Sequence, residues 1–181
     1  MEKEQLQIDE QTLTLVKQGD LKAFNKMMGI YQKAIFNHLY RLTGSKDDAA
    51  DLAQDTFFKV YKKHQTIDPA QNFKAWLYKI ATHTAYDWFA KKKRQNEMFL
   101  PDENELETID QNLPYYRIEE ANRLDLEAAL NKLKPSYQTA IILYYREGFG
   151  YEEIAAIMRI PLGTVKTLLY RAKKALADEL K

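Results

Sequence analysis

The sequence predicts an all-α protein of two small helical domains, and three observations lead there. Only six glycines and five prolines interrupt 181 residues. No stretch alternates as a half-buried strand does, and long segments repeat apolar residues at helical spacing. With 45% hydrophobic residues the chain is able to bury a core, in one domain or in two small ones.

Taken in order, the apolar periods place helices near 9–18, 20–42, 46–64 and 71–93, then 121–133, 136–147, 151–158 and 162–179. Between the two sets, QNEMFLPDENELETIDQNLPYYRIEE (95–120) is acidic, holds two prolines and sustains no amphipathic period. It reads as a linker between domains 1–94 and 121–181. Its Met98, Phe99, Leu100, Tyr115 and Tyr116 are apolar for a solvated tether and fit a segment that docks in part.

The first two helices rest on spacing alone. In the third, KDDAADLAQDTFFKVYKK puts Ala50, Ala53, Phe57 and Val60 inward, with Asp51, Gln54, Asp55 and Phe58 together on another face. A solvated acidic face explains the carboxylates; Phe58 among them points instead to a protein interface. In the fourth, NFKAWLYKIATHTAYDWFAKKKR lines Phe73, Leu77, Ile80, Ala81, Thr84 and Trp88 on the core side. Lys79, Thr82, Tyr86, Phe89, Ala90 and Lys93 lie across from them, and His83 flanks. Cations interleaved with aromatic rings suit unpaired nucleic acid, where rings stack on bases and cations follow the backbone.

In the second set, GFGYEEIAAIMRIPLGTV makes a short helix that Gly150 caps, with Ile154, Ala155 and Met158 inward, and a break at Arg159 to Pro161. The last helix divides cleanly. Val165, Leu168, Leu169, Ala172 and Leu176 form the apolar arc, and Lys166, Thr167, Tyr170, Arg171 and Lys174 the opposite one. A solvated helix and a DNA recognition helix both fit that arc by itself. Two short helices joined by a tight break favour a helix-turn-helix, whose second helix reads the major groove.

The net charge of +1 hides local imbalance: Arg159 to Lys174 holds five basic and no acidic residues, whereas Gln95 to Glu120 holds eight acids against Arg117. A basic working surface beside an acidic tether makes nucleic acid a plausible partner. The lack of cysteine excludes disulfides and thiolate metal sites. No metal or other cofactor is expected. Neither is an enzyme: His38, His64 and His83 are scattered, no glycine-rich nucleotide loop occurs, and the aspartate pairs share one surface helix. No segment is apolar enough to span a membrane, and the polar start MEKEQLQIDEQ is unlike a signal peptide, so the expected place is the cytoplasm.

Together, DLAQDTF, FKAWLYKIA, the acidic linker and GYEEIAAIMRIPLGTVKTLLYRAKKAL resemble bacterial RNA polymerase sigma factors of the extracytoplasmic-function type, over nearly the whole chain and in the family's order. The resemblance implies a sigma-two domain that grips the clamp coiled coil of core polymerase and opens the minus-ten element. It also implies a sigma-four domain that holds the flap and reads duplex minus-thirty-five DNA. By position, Asp51, Gln54 and Asp55 match the family's core-binding motif, which Phe58 joins from the same face, and Lys166, Thr167, Tyr170 and Arg171 match its minus-thirty-five contacts, which Lys174 joins from the same arc. Asp68 and Asn72, in the loop QTIDPAQN that matches the family's capture loop for a flipped-out base, join Lys79, His83, Tyr86, Phe89 and Lys93 on the single-stranded minus-ten surface. An anti-sigma factor is a further implied partner. His83 stands where the family usually has asparagine, Leu168 where it often has arginine, and Gly150 where it often has a serine cap. The rival reading is a helix-turn-helix regulator that is not a polymerase subunit; it leaves Phe58, Tyr86 and Phe89 without a use.

Overall fold

A computed structural model describes residues 7–96 and 123–180, and the regular elements among them are all helical. The chain divides into two compact units, Met1–Trp88 and Phe89–Lys181. The linker residues 97–122, with the apolar positions noted above, lie outside the described residues.

Local chemistry starts and stops each helix of the first unit. Helix α1 (Glu10–Lys17) begins where the Asp9 carboxylate accepts the Thr12 N–H and hydroxyl, each at 2.7 Å. Those two bonds, with the Lys26 ammonium 3.2 Å away, hold the Asp9 carboxyl well below the usual carboxylate range. Helix α2 (Leu21–Thr43) is capped by Asp20 and ends at Gly44, whose φ of 69° few other residues adopt cheaply. Helix α3 (Lys46–Lys62) follows at once from the Ser45 cap, with Asp47 and Asp48 in its first turn and Lys59 and Lys62 in its last, both favourable to the helix dipole. A single 3₁₀ turn, His64–Thr66, leads into the loop before helix α4 (Phe73–Asn96).

The core of this unit is built from Met27, Tyr31, Ile35 and Leu39 of α2, at i, i+4 spacing, with Ala49, Leu52, Phe57 and Val60 of α3 and Leu77, Tyr78, Ala81 and Ala85 of α4, all buried. Burial pushes the Tyr31 hydroxyl up to about 12. Two expected faces turn out differently. On α3, Ala50 is exposed and Ala53 half-buried, while Leu52 and Thr56 complete the inward stripe. Thr56 enters the core without an orphan because its hydroxyl donates to the Leu52 carbonyl at 2.7 Å. On α4, Thr82 is buried on the α2 side, its hydroxyl 3.1 Å from His38 Nε2, and Ile80 and Trp88 are only half-buried. The apolar residues of α4 run most of the way round it, so their pattern does not orient the helix.

The second unit comprises α5 (Arg123–Lys132), α6 (Pro135–Ile141), α7 (Tyr151–Met158) and α8 (Leu162–Glu179). Pro135 opens α6, where its missing N–H costs nothing. The expected single helix 136–147 instead widens into a π turn at Ile142–Arg146, with the Glu147 N–H reaching the Ile142 carbonyl at 3.1 Å. Gln138, Thr139, Ala140, Ile141, Ile142 and Leu143 are six successive buried residues, so this helix is enclosed nearly all round. Between α7 and α8, Arg159 takes a left-handed φ of 57° and the Ile160 N–H bonds back to Ala155 at 3.1 Å, which closes the α7 end.

Candidate nucleic-acid interfaces

On α3, Asp51, Gln54, Asp55 and Phe58 are all exposed, opposite the buried stripe of Ala49, Leu52, Thr56 and Val60. Phe58 keeps 54% of its surface open, and the Lys62 ammonium sits 4.3 Å from its ring centroid. Three polar side chains thus surround an open ring on a helix whose other side is anchored.

Within the loop before α4, Ile67 is the buried anchor and Asp68, Gln71 and Asn72 are exposed. The Asp68 carboxylate is engaged within the loop: Oδ1 accepts the Ala70 N–H at 3.1 Å and Oδ2 the Gln71 side-chain N–H at 2.9 Å. Asn72 Oδ1 accepts the Ala75 N–H at 3.1 Å and so caps α4. Both side chains stay exposed while these oxygens hold the loop.

Along α4, Lys79, His83, Tyr86 and Phe89 are all half-buried. The His83 and Tyr86 rings meet edge to face at 5.7 Å, and the Tyr86 hydroxyl oxygen is out of solvent. The two rings read from sequence as open stacking platforms are therefore partly packed, because the inward arc of α4 is rotated toward α2 by the buried Thr82 and Tyr78. Lys93 belongs to α4, but its side chain lies outside the described residues.

Helix α7 buries Ile154, Ile157 and Met158, with Ala155 only half-buried. It starts at Gly150, whose N–H is taken by Glu153 Oε2 at 2.8 Å, the reciprocal half of a capping box. Helix α8 buries Val165, Leu169, Ala172 and Leu176. Lys166 and Lys174 are exposed, whereas Thr167, Leu168, Tyr170 and Arg171 are half-buried. The Thr167 hydroxyl donates to the Gly163 carbonyl at 3.1 Å and offers its remaining lone pair outward. Absent from the expected set is Lys173, which lies 5.4 Å from the ring of Tyr145, a π-turn residue 49% exposed. The π turn that brings them together carries no signature in the sequence.

A short helix, a tight left-handed break and a second helix with cations on its open side form a helix-turn-helix at residues 151–179. The sigma-70 region 2 family model matches residues 27–95, and the sigma-70 region 4 model residues 123–176. The ECF RNA polymerase sigma factor SigW of Bacillus subtilis is 32% identical over 178 residues, 92% of this chain and 93% of that protein. This chain belongs to the ECF sigma factors. The ECF sigma factor SigE of Mycolicibacterium smegmatis is 32% identical over 165 residues, 90% of this chain, which spans 63% of that longer relative. Among solved structures, the sigma factor RpoE of Bartonella quintana, in complex with the anti-sigma factor NepR, aligns with a TM-score of 0.69 and 29% identity, covering 88% of this chain and 98% of that one.

As a sigma factor, the chain acts in promoter-specific transcription initiation with core RNA polymerase and promoter DNA. The rival reading, a DNA-binding regulator outside the polymerase, finds no support in these likenesses. Among the described residues no helix is long and apolar enough to cross a membrane, and no cluster of His, Cys, Asp or Glu suits a metal ion.

Proposed function

We propose that the two units divide the work of initiation, with 1–94 holding the clamp coiled coil of core polymerase and opening the minus-ten element, 95–120 as connector, and 121–181 holding the flap and reading the minus-thirty-five element. The observation that carries this reading is the α3 face, where Asp51, Gln54, Asp55 and Phe58 are all open on one side of a helix locked by its other side. An exposed phenylalanine among carboxylates is poor design for solvent and good design for a protein partner. For DNA, Lys166, Thr167, Tyr170, Arg171 and Lys174 supply donors and an aromatic edge on the open side of α8. Lys79, His83, Tyr86, Phe89 and Lys93 supply cations and rings on α4 for the unpaired strand.

The protein works in the cytoplasm, as an initiation factor without catalytic residues of its own. The Bartonella quintana relative was solved with an anti-sigma factor, which supports a similar inhibitor that covers one of these surfaces here. The test is transcription by purified core polymerase from a promoter carrying both elements. The protein is expected to confer start-site selection that core lacks, and selection that does not depend on it rejects the reading.

A further inference from the structure

On α3, Lys59 stands beside the exposed face, directly after Phe58 and one turn beyond Asp55, yet it is half-buried. Its ammonium reaches across to α4. Nζ donates to Thr84 Oγ1 at 3.0 Å and lies 3.5 Å from Asp87 Oδ2. The hydroxyl of the buried Thr84 donates its one proton to the Ile80 carbonyl at 2.9 Å, so only its lone pairs face the lysine and the direction of the bond is fixed. The Asp87 carboxylate, with 70% of its side chain open, adds a screened attraction of little weight.

Such a contact matters on α4 because apolar residues that run most of the way round a helix leave its rotation unsettled. A directional bond between a held donor and a held acceptor settles it. Polar ties grip α4 on two sides, from Thr82 to His38 of α2 and from Thr84 to Lys59 of α3. The second leads to the helix that carries Asp51, Gln54, Asp55 and Phe58. On α4 it ends beside the other working surface, for Thr84 directly follows His83 and Asp87 directly follows Tyr86. The same triad, a lysine on a threonine hydroxyl and an aspartate carboxylate, recurs where Lys26 of α2 meets Thr12 at 3.0 Å and Asp9 at 3.2 Å. That copy joins the start of α1 to α2 and supplies a control of equal chemistry.

We propose that Lys59 is a positioning residue for promoter opening: by holding Thr84 it sets the rotation of α4 against the polymerase-binding face of α3. The inference rests on the reading that α3 meets core polymerase and α4 the unpaired strand. With α3 seated on polymerase, opening needs His83, Tyr86 and their neighbours to meet the strand at one angle. Side chains move with their helix, so a turn of α4 about its axis displaces all of them together. Without the ammonium, Thr84 keeps its bond to the Ile80 carbonyl and stays satisfied, so the fold tolerates the loss while α4 gains freedom to turn. Lys59 itself touches neither polymerase nor DNA in this role.

The test measures core affinity by titration and, for holoenzyme on duplex promoter, the rate at which unpaired minus-ten thymines become reactive to permanganate. The variants are Lys59→Met, which keeps the stem, Thr84→Val, which keeps the shape, the double of these two, Lys26→Met, and the ring variant Tyr86→Ala, Phe89→Ala. Lys59→Met and Thr84→Val are each expected to slow opening at least about five-fold, the loss of one charge-assisted hydrogen bond, with core affinity and thermal midpoint near wild type. The double is expected to be no slower than the slower single, because both remove one contact. Lys26→Met is expected to open the promoter as wild type does. Opening at the wild-type rate in Lys59→Met overturns the inference, and so does equal slowing in Lys26→Met, which makes the effect one of stability. Losses that add in the double break the link to Thr84, and a fall in core affinity in Lys59→Met makes that lysine a polymerase contact; either overturns the positioning role. Normal opening in the ring variant rejects the reading of α4 beneath the inference, whereas slow opening there beside normal opening in Lys59→Met sinks the inference alone.

Discussion

His38 sits wholly buried between α2 and α4, its ring edge-on to Tyr78 at 5.0 Å, its Nε2 on the Thr82 hydroxyl and its Nδ1 without a hydrogen-bond partner. Burial, helped by the nearby Arg41 cation, lowers its pKa to about 3. The folded protein therefore keeps it neutral at a pH where the unfolded chain, with a pKa near about 6.5, takes up a proton. Stability is unaffected above that pH and falls as pH drops from about 6.5 toward 3, by up to about 1.4 kcal/mol per pH unit from this one group. Urea titrations at pH 7.5, 6 and 5 check this. His38→Leu should flatten the slope by up to one proton and stay within about 1 kcal/mol of wild type at pH 7.5, since it also removes the unpaired Nδ1. An unchanged slope means His38 is protonated in the folded state. None of this is legible in the sequence, which shows a lone histidine in a helix. Likewise Asp68 and Asn72 look like outward polar residues until the turn that absorbs their oxygens is seen, because such bonds depend on backbone geometry and not on residue type.

Helices were more legible than their orientation. Capping residues and glycine stops mark the ends, so α1, α2, α3, α7 and α8 fall within about two residues of their expected bounds. The apolar arc of α8 was readable because its cations are segregated; that of α4 was not, with apolar residues nearly all round. The π turn at Ile142–Arg146 stayed hidden because packing, and not propensity, selects it. Two glycines make a paired prediction for the first unit. Gly29 lies mid-helix in α2 with nothing within 4 Å of an added Cβ, so Gly29→Ala should raise stability by about 0.5–1 kcal/mol. Gly19 joins α1 to α2 at φ 87°, where an added Cβ meets His64 Nε2 at 3.4 Å, so Gly19→Ala should cost about 1 kcal/mol or more. Thermal midpoints of the two variants, moving in opposite directions from wild type, check the assignment; a Gly29→Ala protein that melts lower than wild type would refute the open-space reading.

At the scale of the molecule, a net charge of +1 conceals surfaces of different use, and the two-domain, all-helical plan was legible because an acidic, proline-bearing segment separates two sets of amphipathic helices. The proposed division of labour predicts that the surfaces fail separately. A Lys166→Ala, Arg171→Ala variant changes one exposed and one half-buried side chain of α8, leaving Val165, Leu169 and Ala172 in the core. It should bind core polymerase as wild type does and use a minus-thirty-five-dependent promoter less well, by about 1–3 kcal/mol for each base that these side chains read. Its salt dependence should be shallower by about one for each phosphate that is no longer neutralised. An Asp51→Ala, Gln54→Ala, Phe58→Ala variant should do the reverse. Its α3 core residues are untouched, so helical signal and salt-dependent duplex binding by the full chain should persist, while affinity for core falls. Phe58 should dominate that loss: its open ring offers the apolar area, and its removal also releases Lys62 from the ring it now covers at 4.3 Å. Fluorescence titration of core polymerase with each labelled variant separates the outcomes. Were the α3 variant to keep full core affinity, the exposed phenylalanine would serve another partner; were the α8 variant to lose core affinity as well, the second unit would contact polymerase through the face assigned here to DNA.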